Sequence, residues 1–255
     1  MLLPRSGRSN PAVAMAALVC YVVALLGSAA LALLVLLLGL DLRPSWLFLS
    51  LPHPWLINFG WLVLFAVQHS GMARASFKRV WTRWVPPFLE RSIYAGLSGL
   101  LLLGLTLTWQ PLPGEPLWHG PQWLVIVPLG FSVGLVLVNL SFDHAGLVGL
   151  RQVREHGQQS TPERLLVLGP YRWVRHPLMA CLLGFLWTQP IMTPTLLVLN
   201  LGLTVYVAGA LFLEEADLVR RFGDAYRDYR RRVPALLPWR RPVPPAKFPA
   251  VEYPS

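Results

Sequence analysis

Long apolar runs separated by short basic stretches dominate the pattern of this chain. The first run, residues 13–40, contains no charged residue. A bilayer core about 30 Å thick requires roughly 20 apolar residues in a helix, so this run is long enough to span a membrane. Its apolar part is about twice the length of a signal-peptide core, and we therefore predict that it is retained as a helix.

Five further apolar runs follow, at residues 55–67, 92–109, 123–140, 178–187 and 195–213. The pattern predicts an all-α fold, a polytopic membrane helix bundle with about five to six transmembrane segments. The run at 178–187 is short, rising only about 15 Å as a helix, and Pro190 and Pro194 separate it from the last run. We expect a tight C-terminal helical hairpin there.

Composition and charge support a membrane location. Of the 255 residues, 55% are hydrophobic and only 13% are charged, with a mean hydropathy of +0.50. All but one of the 22 Lys and Arg residues fall in alternate loops. Because basic loops stay in the cytoplasm, we predict a multi-pass protein of the bacterial inner (cytoplasmic) membrane with both termini cytoplasmic.

The net charge of +10 has a simple explanation in this setting. Basic loops beside anionic lipid are expected, so membrane lipid is the predicted partner and no nucleic-acid partner is indicated. Cys20 and Cys181 show no ligand spacing, and we predict no metal site. We expect one membrane domain over residues 1–241 and a disordered Pro-rich tail over 242–255. The oligomeric state is left open.

Three polar clusters lie where helices are expected to reach the cytoplasmic surface. One surrounds His69, and another comprises Asp143-His144 followed by Gly149-Leu150-Arg151-Gln152-Val153; either alone is typical of a solvated basic loop. The third is more informative because Pro177 suits the first position of a helix, whose free N–H groups can hold a carboxylate. The paired carboxylates of Glu214 and Glu215 either neutralise nearby arginines or bind a cationic ligand.

The third cluster carries an ordered motif that continues towards the C-terminus. It comprises Gly169, Tyr171, Arg175, His176 and Pro177, then Glu214, Glu215, Leu218, Phe222, Gly223, Tyr226, Tyr229, Val233 and Pro234. This pattern resembles the membrane methyltransferases related to isoprenylcysteine carboxyl methyltransferase. The N-terminal half narrows the resemblance to the methanethiol S-methyltransferase branch, through Gln68-His69-Ser70, Phe77-Lys78, Glu90-Arg91-Ser92, Trp109-Gln110 and Gly149-Leu150-Arg151-Gln152-Val153.

The resemblance implies a reaction and a set of residues. The branch transfers the methyl group of S-adenosylmethionine to methanethiol, a small volatile thiol, which gives dimethyl sulfide and S-adenosylhomocysteine. The implied cofactor-binding residues are Gln152, Leu165, Leu166, Val167, Gly169, Tyr171, Arg175, His176, Pro177, Met179, Glu214 and Glu215.

A thiol must lose its proton to become a good nucleophile. His69 and His144 are the candidate catalytic bases. Arg74, Arg151 and Arg172 are candidates for stabilising the thiolate. Glu215 is also able to orient an arginine or a histidine in place of touching the cofactor.

Some positions depart from the wider pattern. Ala210 stands where prenylcysteine methyltransferases carry a basic residue that helps to hold a substrate carboxylate, which favours a substrate without one. Met179 and Gly146 also differ from the residues that relatives tend to carry. The alternatives left open are a methyltransferase acting on a prenylcysteine or a phospholipid, and a non-enzymatic membrane accessory protein.

Overall fold

Helices dominate the computed structural model, which describes residues 11–42, 51–140 and 164–249. The helices are α1 (Pro11–Gly39), α2 (Pro54–Ala73), α3 (Ala75–Trp81), α4 (Pro87–Thr108), α5 (Ile126–Leu140), α6 (Pro177–Trp187) and α7 (Pro194–Arg232). Four short strands accompany them, β1 (Trp118–His119), β2 (Arg164–Val167), β3 (Ile191–Met192) and β4 (Ala246–Pro249). Two 3₁₀ turns, Gln122–Val125 and Gly169–Arg172, precede α5 and α6.

Proline defines where several of these helices begin. It is the first residue of α1, α2, α4, α6 and α7. Proline has a backbone angle already suited to a helix, and the N–H that it lacks would have no partner in the first turn. The prediction for Pro177 is therefore confirmed, and four other helices follow the same rule.

All six apolar runs form helices, as predicted. The last of them is longer than its apolar part, because α7 continues through the polar residues 214–232 to Arg232. It bends at Gly223, whose φ of 52° lies in the left-handed region that glycine adopts without strain. The paired carboxylates, expected just beyond the hairpin, thus lie inside a continuing helix.

Four of the helices in the described residues are long and apolar enough to cross a membrane: α1, α2, α4 and α7. At most 28% of the apolar window of each is buried inside the protein. Side chains such as Leu18, Val22 and Leu26 on α1 stay exposed, which is favourable when the surrounding solvent is lipid. These features identify a multi-pass membrane protein; the spanning of the shorter helices α5 and α6 remains a prediction.

The chain divides into two compact units. In the described residues, the first contains α1 to α4, β1, β3 and α7 up to Gly202. Helices α1 and α4 pack closely at Gly99, where a Cβ would lie 2.4 Å from the carbonyl oxygen of Val23. Asn58 and Gln110 are buried together, with the Asn58 amide donating to the Gln110 carbonyl oxygen at 2.9 Å and accepting from its N–H at 2.8 Å.

The second unit contains α5, α6, α7 from Leu203, β2 and β4. Helix α5 meets α6 where Phe131 lies against Gly184. Helix α6 runs antiparallel to α7, because its last residue, Trp187, donates from Nε1 to Thr204 Oγ1 at 2.9 Å while its first turn faces the later residues of α7. The tight helical hairpin expected of these two segments stays a prediction. A core of Val167, Phe222, Tyr226, Tyr229 and Val233 packs beside this pair of helices.

Part of the expected disordered tail is ordered in this structure. Strand β4 pairs antiparallel with β2, with Val167 opposite Ala246. The Val243 N–H donates to the Arg172 carbonyl oxygen at 3.0 Å. Proline-rich composition favours an unfolded tail, but backbone pairing with β2 offsets that preference for residues 243–249.

Candidate functional site

The start of α6 is fixed by backbone hydrogen bonds to the segment that follows α7. The Arg175 N–H donates to the Pro234 carbonyl oxygen at 2.9 Å, and the His176 N–H donates to that of Ala235 at 3.0 Å. His176 caps the helix, and Pro177 follows as its first residue. The position of these side chains is therefore set by main-chain contacts and not by their own packing alone.

Arg175 and Glu215 form the central ion pair of this region. The guanidinium donates from Nε at 2.8 Å and from Nη2 at 2.5 Å, both to Glu215 Oε1. Its Nη1 donates to the carbonyl oxygens of Val233 at 2.6 Å and Arg230 at 3.0 Å. Only 10% of the Arg175 side chain and 16% of the Glu215 side chain are exposed. The pair therefore links the start of α6 to the end of α7.

His176 joins this pair from the helix cap. Its Nε2 lies 3.1 Å from Glu215 Oε1. Because a carboxylate oxygen only accepts, the hydrogen lies on Nε2, and Nδ1 is the acceptor of the neutral ring. The imidazole is buried, with 6% of its side chain exposed. Glu215 thus orients an arginine and a histidine, as the sequence allowed.

Glu214 has a different environment from its neighbour. Its side chain is 55% exposed, and its Oε2 lies 3.8 Å from His176 Nδ1, outside hydrogen-bond range. A carboxylate that is accessible and only weakly engaged is available to a cationic ligand. The two acidic residues, indistinguishable in the sequence pattern, therefore take separate tasks in the structure.

Tyr171 lies in the 3₁₀ turn before α6, where its carbonyl oxygen accepts a hydrogen bond from the Tyr229 hydroxyl at 2.7 Å. Burial, with a smaller contribution from the Glu214 carboxylate, raises the pKa of Tyr171 to about 12. Both effects disfavour the phenolate. Tyr171 is therefore a neutral aromatic residue at physiological pH. We call Tyr171, Arg175, His176, Glu214 and Glu215 the α6-start cluster.

Of the other predicted cofactor residues, those from Leu165 to Met179 belong to the same unit as this cluster. Leu165, Leu166 and Val167 form β2, and Gly169 follows with a φ of +52° that requires glycine. The N–H groups of Leu178 and Met179 precede Ala180, whose N–H donates to the His176 carbonyl oxygen at 3.0 Å. These first-turn groups and the positive end of the helix dipole favour an anionic group near Met179.

Arg172, a candidate for stabilising a thiolate, is engaged with the C-terminal segment. Its Nε donates to the Val243 carbonyl oxygen at 2.6 Å. The contact pairs Arg172 with the strand-forming tail, and in this position it supports the turn that carries Tyr171. Sequence reasoning missed Val243, because its proline-rich surroundings carry no strand signal.

His69 belongs to the first unit, on α2. Its Nδ1 lies 3.0 Å from the Ser98 hydroxyl of α4, and its ring lies between Phe65, 5.1 Å away, and Tyr94, 4.9 Å away, by ring centroids. Ser98 was not singled out by the sequence. His144, Arg151 and Gln152 lie outside the described residues.

The described residues contain no group of three or more His, Cys, Asp or Glu side chains able to hold a metal ion. The α6-start cluster instead offers an accessible carboxylate, a helix N-terminus and a neutral aromatic ring. That combination suits a ligand with an ammonium, a carboxylate and a further cationic or aromatic part.

Comparison with known proteins gives a consistent family. The chain is 43% identical over 190 residues to a methanethiol S-methyltransferase of Mycobacterium tuberculosis, covering 72% of this chain and 78% of that protein. It is 40% identical over 195 residues to methanethiol S-methyltransferase 1 of Bradyrhizobium diazoefficiens, covering 74% and 68%. It is also 33% identical over 198 residues to nurim of Pan troglodytes, covering 71% and 75%. No protein-family model and no solved structure matches the chain.

Proposed function

The chain belongs to the methanethiol S-methyltransferase family, and on that premise we propose that it transfers the methyl group of S-adenosylmethionine to methanethiol, producing dimethyl sulfide and S-adenosylhomocysteine. The observation that carries the cofactor part of the proposal is the contrast between Glu214 and Glu215. One carboxylate is 55% exposed, while the other is held by Arg175 and His176. The exposed one is free to meet a cationic ligand on a rigid support.

The residues of the α6-start cluster fit S-adenosylmethionine. Glu214 would accept the ammonium of its methionine part, and the backbone N–H groups at the start of α6 would hold its carboxylate. The ring of Tyr171, kept neutral by the environment that raises its pKa to about 12, would pack against the adenosine or the sulfonium. When bound, the cofactor supplies an activated methyl group on sulfur.

The support behind Glu214 matters as much as the carboxylate itself. Holding reacting groups in line is worth roughly 7–11 kcal/mol of barrier, so small displacements are costly. Arg175 ties α6 to α7 through four hydrogen bonds, to Glu215 and to two carbonyl oxygens. We assign Arg175 and Glu215 a positioning role. We retain the other predicted cofactor-binding residues, which are Gln152, Leu165, Leu166, Val167, Gly169, Pro177 and Met179.

The substrate must be deprotonated, and the reaction needs a proton acceptor on the protein or in solution. His69 and His144 are the proposed bases. Arg151 and Arg172 are proposed to stabilise the thiolate, although Arg172 Nε is engaged with the Val243 carbonyl oxygen. Its remaining guanidinium N–H groups are the ones this role would use.

We further propose a location in the bacterial inner (cytoplasmic) membrane with both termini in the cytoplasm. The distribution of Lys and Arg supports this orientation, because all but one of the 22 lie in alternate loops. With this orientation the basic loops would face the cytosol, where the cofactor is made. A green fluorescent protein fused to the C-terminus should fluoresce in cells, which supports the orientation. Activity of a periplasmic reporter enzyme fused at the same C-terminus, with no fluorescence of the first fusion, contradicts it.

The substrate is tested by direct competition between acceptors. Purified protein is given S-adenosylmethionine labelled in its methyl group, with methanethiol, a prenylcysteine or phosphatidylethanolamine in separate reactions. Label in a volatile product only with methanethiol supports the proposal. Label found only in the lipid or the prenylcysteine overturns the proposal that methanethiol is the substrate. A calorimetric titration without cofactor binding, together with no transfer to any acceptor, favours a non-enzymatic accessory protein.

A further inference from the structure

A partly open cavity lies in the first unit, between α1, α2 and α4. Its volume is about 190 Å³. Small side chains leave the space, since Ala24 of α1 and Ala95 of α4 line it together with Gly99. The rings of Phe65, His69 and Tyr94 also line it, and Ser98 contributes a hydroxyl. Ser28 and Leu102 complete the wall.

The polar groups of this wall determine which ring nitrogen of His69 carries the hydrogen. The Ser98 hydroxyl lies 2.9 Å from the carbonyl oxygen of Tyr94 and 3.2 Å from Oε1 of Gln68. Both of these atoms only accept, so the single hydroxyl hydrogen of Ser98 is directed to one of them. The Ser98 oxygen then accepts from His69 Nδ1, 3.0 Å away. Neutral His69 therefore carries its hydrogen on Nδ1, and its Nε2 is the proton acceptor.

The size and lining of the cavity restrict what it can hold. An apolar cavity of about 150 Å³ in another protein stays dry and binds benzene or xenon. A space of about 190 Å³ that is partly open to its surroundings therefore has the size of a solute of a few heavy atoms. Aromatic faces interact favourably with sulfur, which adds a preference for a small sulfur compound over a hydrocarbon of the same size.

We infer that this cavity is a binding site for a small alkyl thiol, held by the aromatic wall and by His69 in its Nδ1–H form. The identity of the ligand rests on the proposed function, since methanethiol has the size and the apolar, weakly acidic character that the cavity suits. The site belongs to the first unit and shares no residue with the α6-start cluster. Its existence does not depend on any residue of that cluster.

The direct test uses photolabelling of wild-type protein in detergent or in vesicles. The probe is a short alkyl thiol that carries a diazirine, and the labelled peptides are identified by mass spectrometry. Labelling concentrated on the peptides that contain His69 and Tyr94, and suppressed by excess methanethiol, supports the inference. Labelling spread over the exposed apolar residues and unaffected by methanethiol overturns it.

A matched pair of substitutions tests the same cavity by kinetics. Ala95→Val fills part of the space, whereas Ala29→Val adds the same groups at an exposed position of α1. We expect Ala95→Val to raise the KM for methanethiol about tenfold, and that for propanethiol further, since one methylene in a pocket changes specificity by about that factor or more. Ala29→Val should leave both values unchanged, and the affinity for S-adenosylmethionine should be unchanged in both variants.

The hydrogen bond to the histidine is tested by Ser98→Ala. Loss of the acceptor at Nδ1 should raise the KM for methanethiol and weaken photolabelling of the His69 peptide. If Ala95→Val and Ser98→Ala are folded and keep wild-type KM and labelling, the cavity is not the thiol site. Failure of wild-type protein to form dimethyl sulfide would count against the proposed function, while the photolabelling pattern would still decide the inference.

Discussion

Glu215 accepts two hydrogen bonds from the guanidinium of Arg175, at 2.5 and 2.8 Å, in a place where both side chains are largely buried. The adjacent Glu214 is 55% exposed. A pair of acidic residues in the sequence thus divides into a structural carboxylate and an accessible one.

Removing the charge of Glu214 should weaken cofactor binding without affecting the fold. Charge-assisted hydrogen bonds contribute about 1.5–3 kcal/mol, and about 1.4 kcal/mol corresponds to a factor of ten. Since Glu214 is half-exposed, we expect Glu214→Gln to raise the Kd for S-adenosylmethionine about tenfold. Isothermal titration calorimetry measures the affinity, and thermal unfolding of the same preparation checks the fold.

The exposed Asp224 provides the control for that substitution. Its side chain is 95% exposed and contacts Arg227 on the same helix. Asp224→Asn removes an acidic charge from α7 without touching the α6-start cluster, and its Kd should equal that of the wild type. Equal weakening in Glu214→Gln and Asp224→Asn would mean that only the overall charge of the helix matters.

Breaking the pair of Arg175 and Glu215 should destabilise the protein. Removing one partner of a buried pair costs about 3–5 kcal/mol, because the other charge is left without compensation. As 10% and 16% of the two side chains are exposed, we expect a loss near the lower end, and a fall in Tm of roughly 5–10 °C. Thermal unfolding in detergent measures it for Arg175→Ala and Glu215→Gln, with Asp224→Asn again unchanged. A wild-type Tm in both would exclude the positioning role.

The pH dependence of Tyr171 has a defined sign. A free phenol deprotonates at about pH 10, whereas the pKa of Tyr171 is about 12 in the folded protein. The folded state retains a proton that the unfolded state loses, so the contribution of Tyr171 to stability falls as pH rises from about 10 to about 12. Tyr171→Phe should remove that part of the alkaline decline, which chemical unfolding at several pH values detects.

The same shift predicts what Tyr171 does not do in catalysis. A phenol that remains neutral below about pH 12 cannot act as the base at neutral pH. The pH profile of kcat between pH 7 and 10 should therefore have the same shape in Tyr171→Phe as in the wild type. If the change of kcat at alkaline pH disappeared in Tyr171→Phe alone, Tyr171 would take part in the proton transfer after all.

Removing the C-terminal strand β4 tests whether its pairing with β2 contributes to stability and to cofactor binding. A chain ending at Arg241 loses β4, the Val243 contact with Arg172 and the cover over Val167. It should have a lower Tm and a higher Kd for S-adenosylmethionine than a chain ending at Pro249. If the two truncated proteins behave alike, the pairing of β2 with β4 contributes nothing to the site.

Much of the fold was predictable from hydrophobic pattern, because a membrane helix must satisfy its backbone groups internally and therefore shows itself as a long apolar run. All six runs form helices. The continuation of α7 to Arg232 was not predicted, since its second half is polar and apolarity no longer marks its end. Strand β4 was missed because pairing with β2 depends on a distant segment, and proline-rich composition favours the opposite conclusion.

The candidate site was predictable as a set of residues but not as a set of roles. The motif brought Arg175, His176, Glu214 and Glu215 to attention, and the structure places them together. The rotation of α7 against α6 determines which carboxylate is buried. The sequence does not predict this rotation, because the two acidic residues are adjacent and identical. The partnership of His69 with Ser98 was missed for a similar reason, because it joins two helices through a contact between side chains.

Methyl transfer to methanethiol is tested most directly by headspace gas chromatography with mass spectrometry, on purified protein given methanethiol and S-adenosylmethionine with a deuterium-labelled methyl group. We expect dimethyl sulfide carrying one labelled methyl group, formed by the wild type and Asp224→Asn and much more slowly by Glu214→Gln at low cofactor concentration. Folded wild-type protein that binds the cofactor but forms no labelled dimethyl sulfide would contradict the proposed methyl transfer.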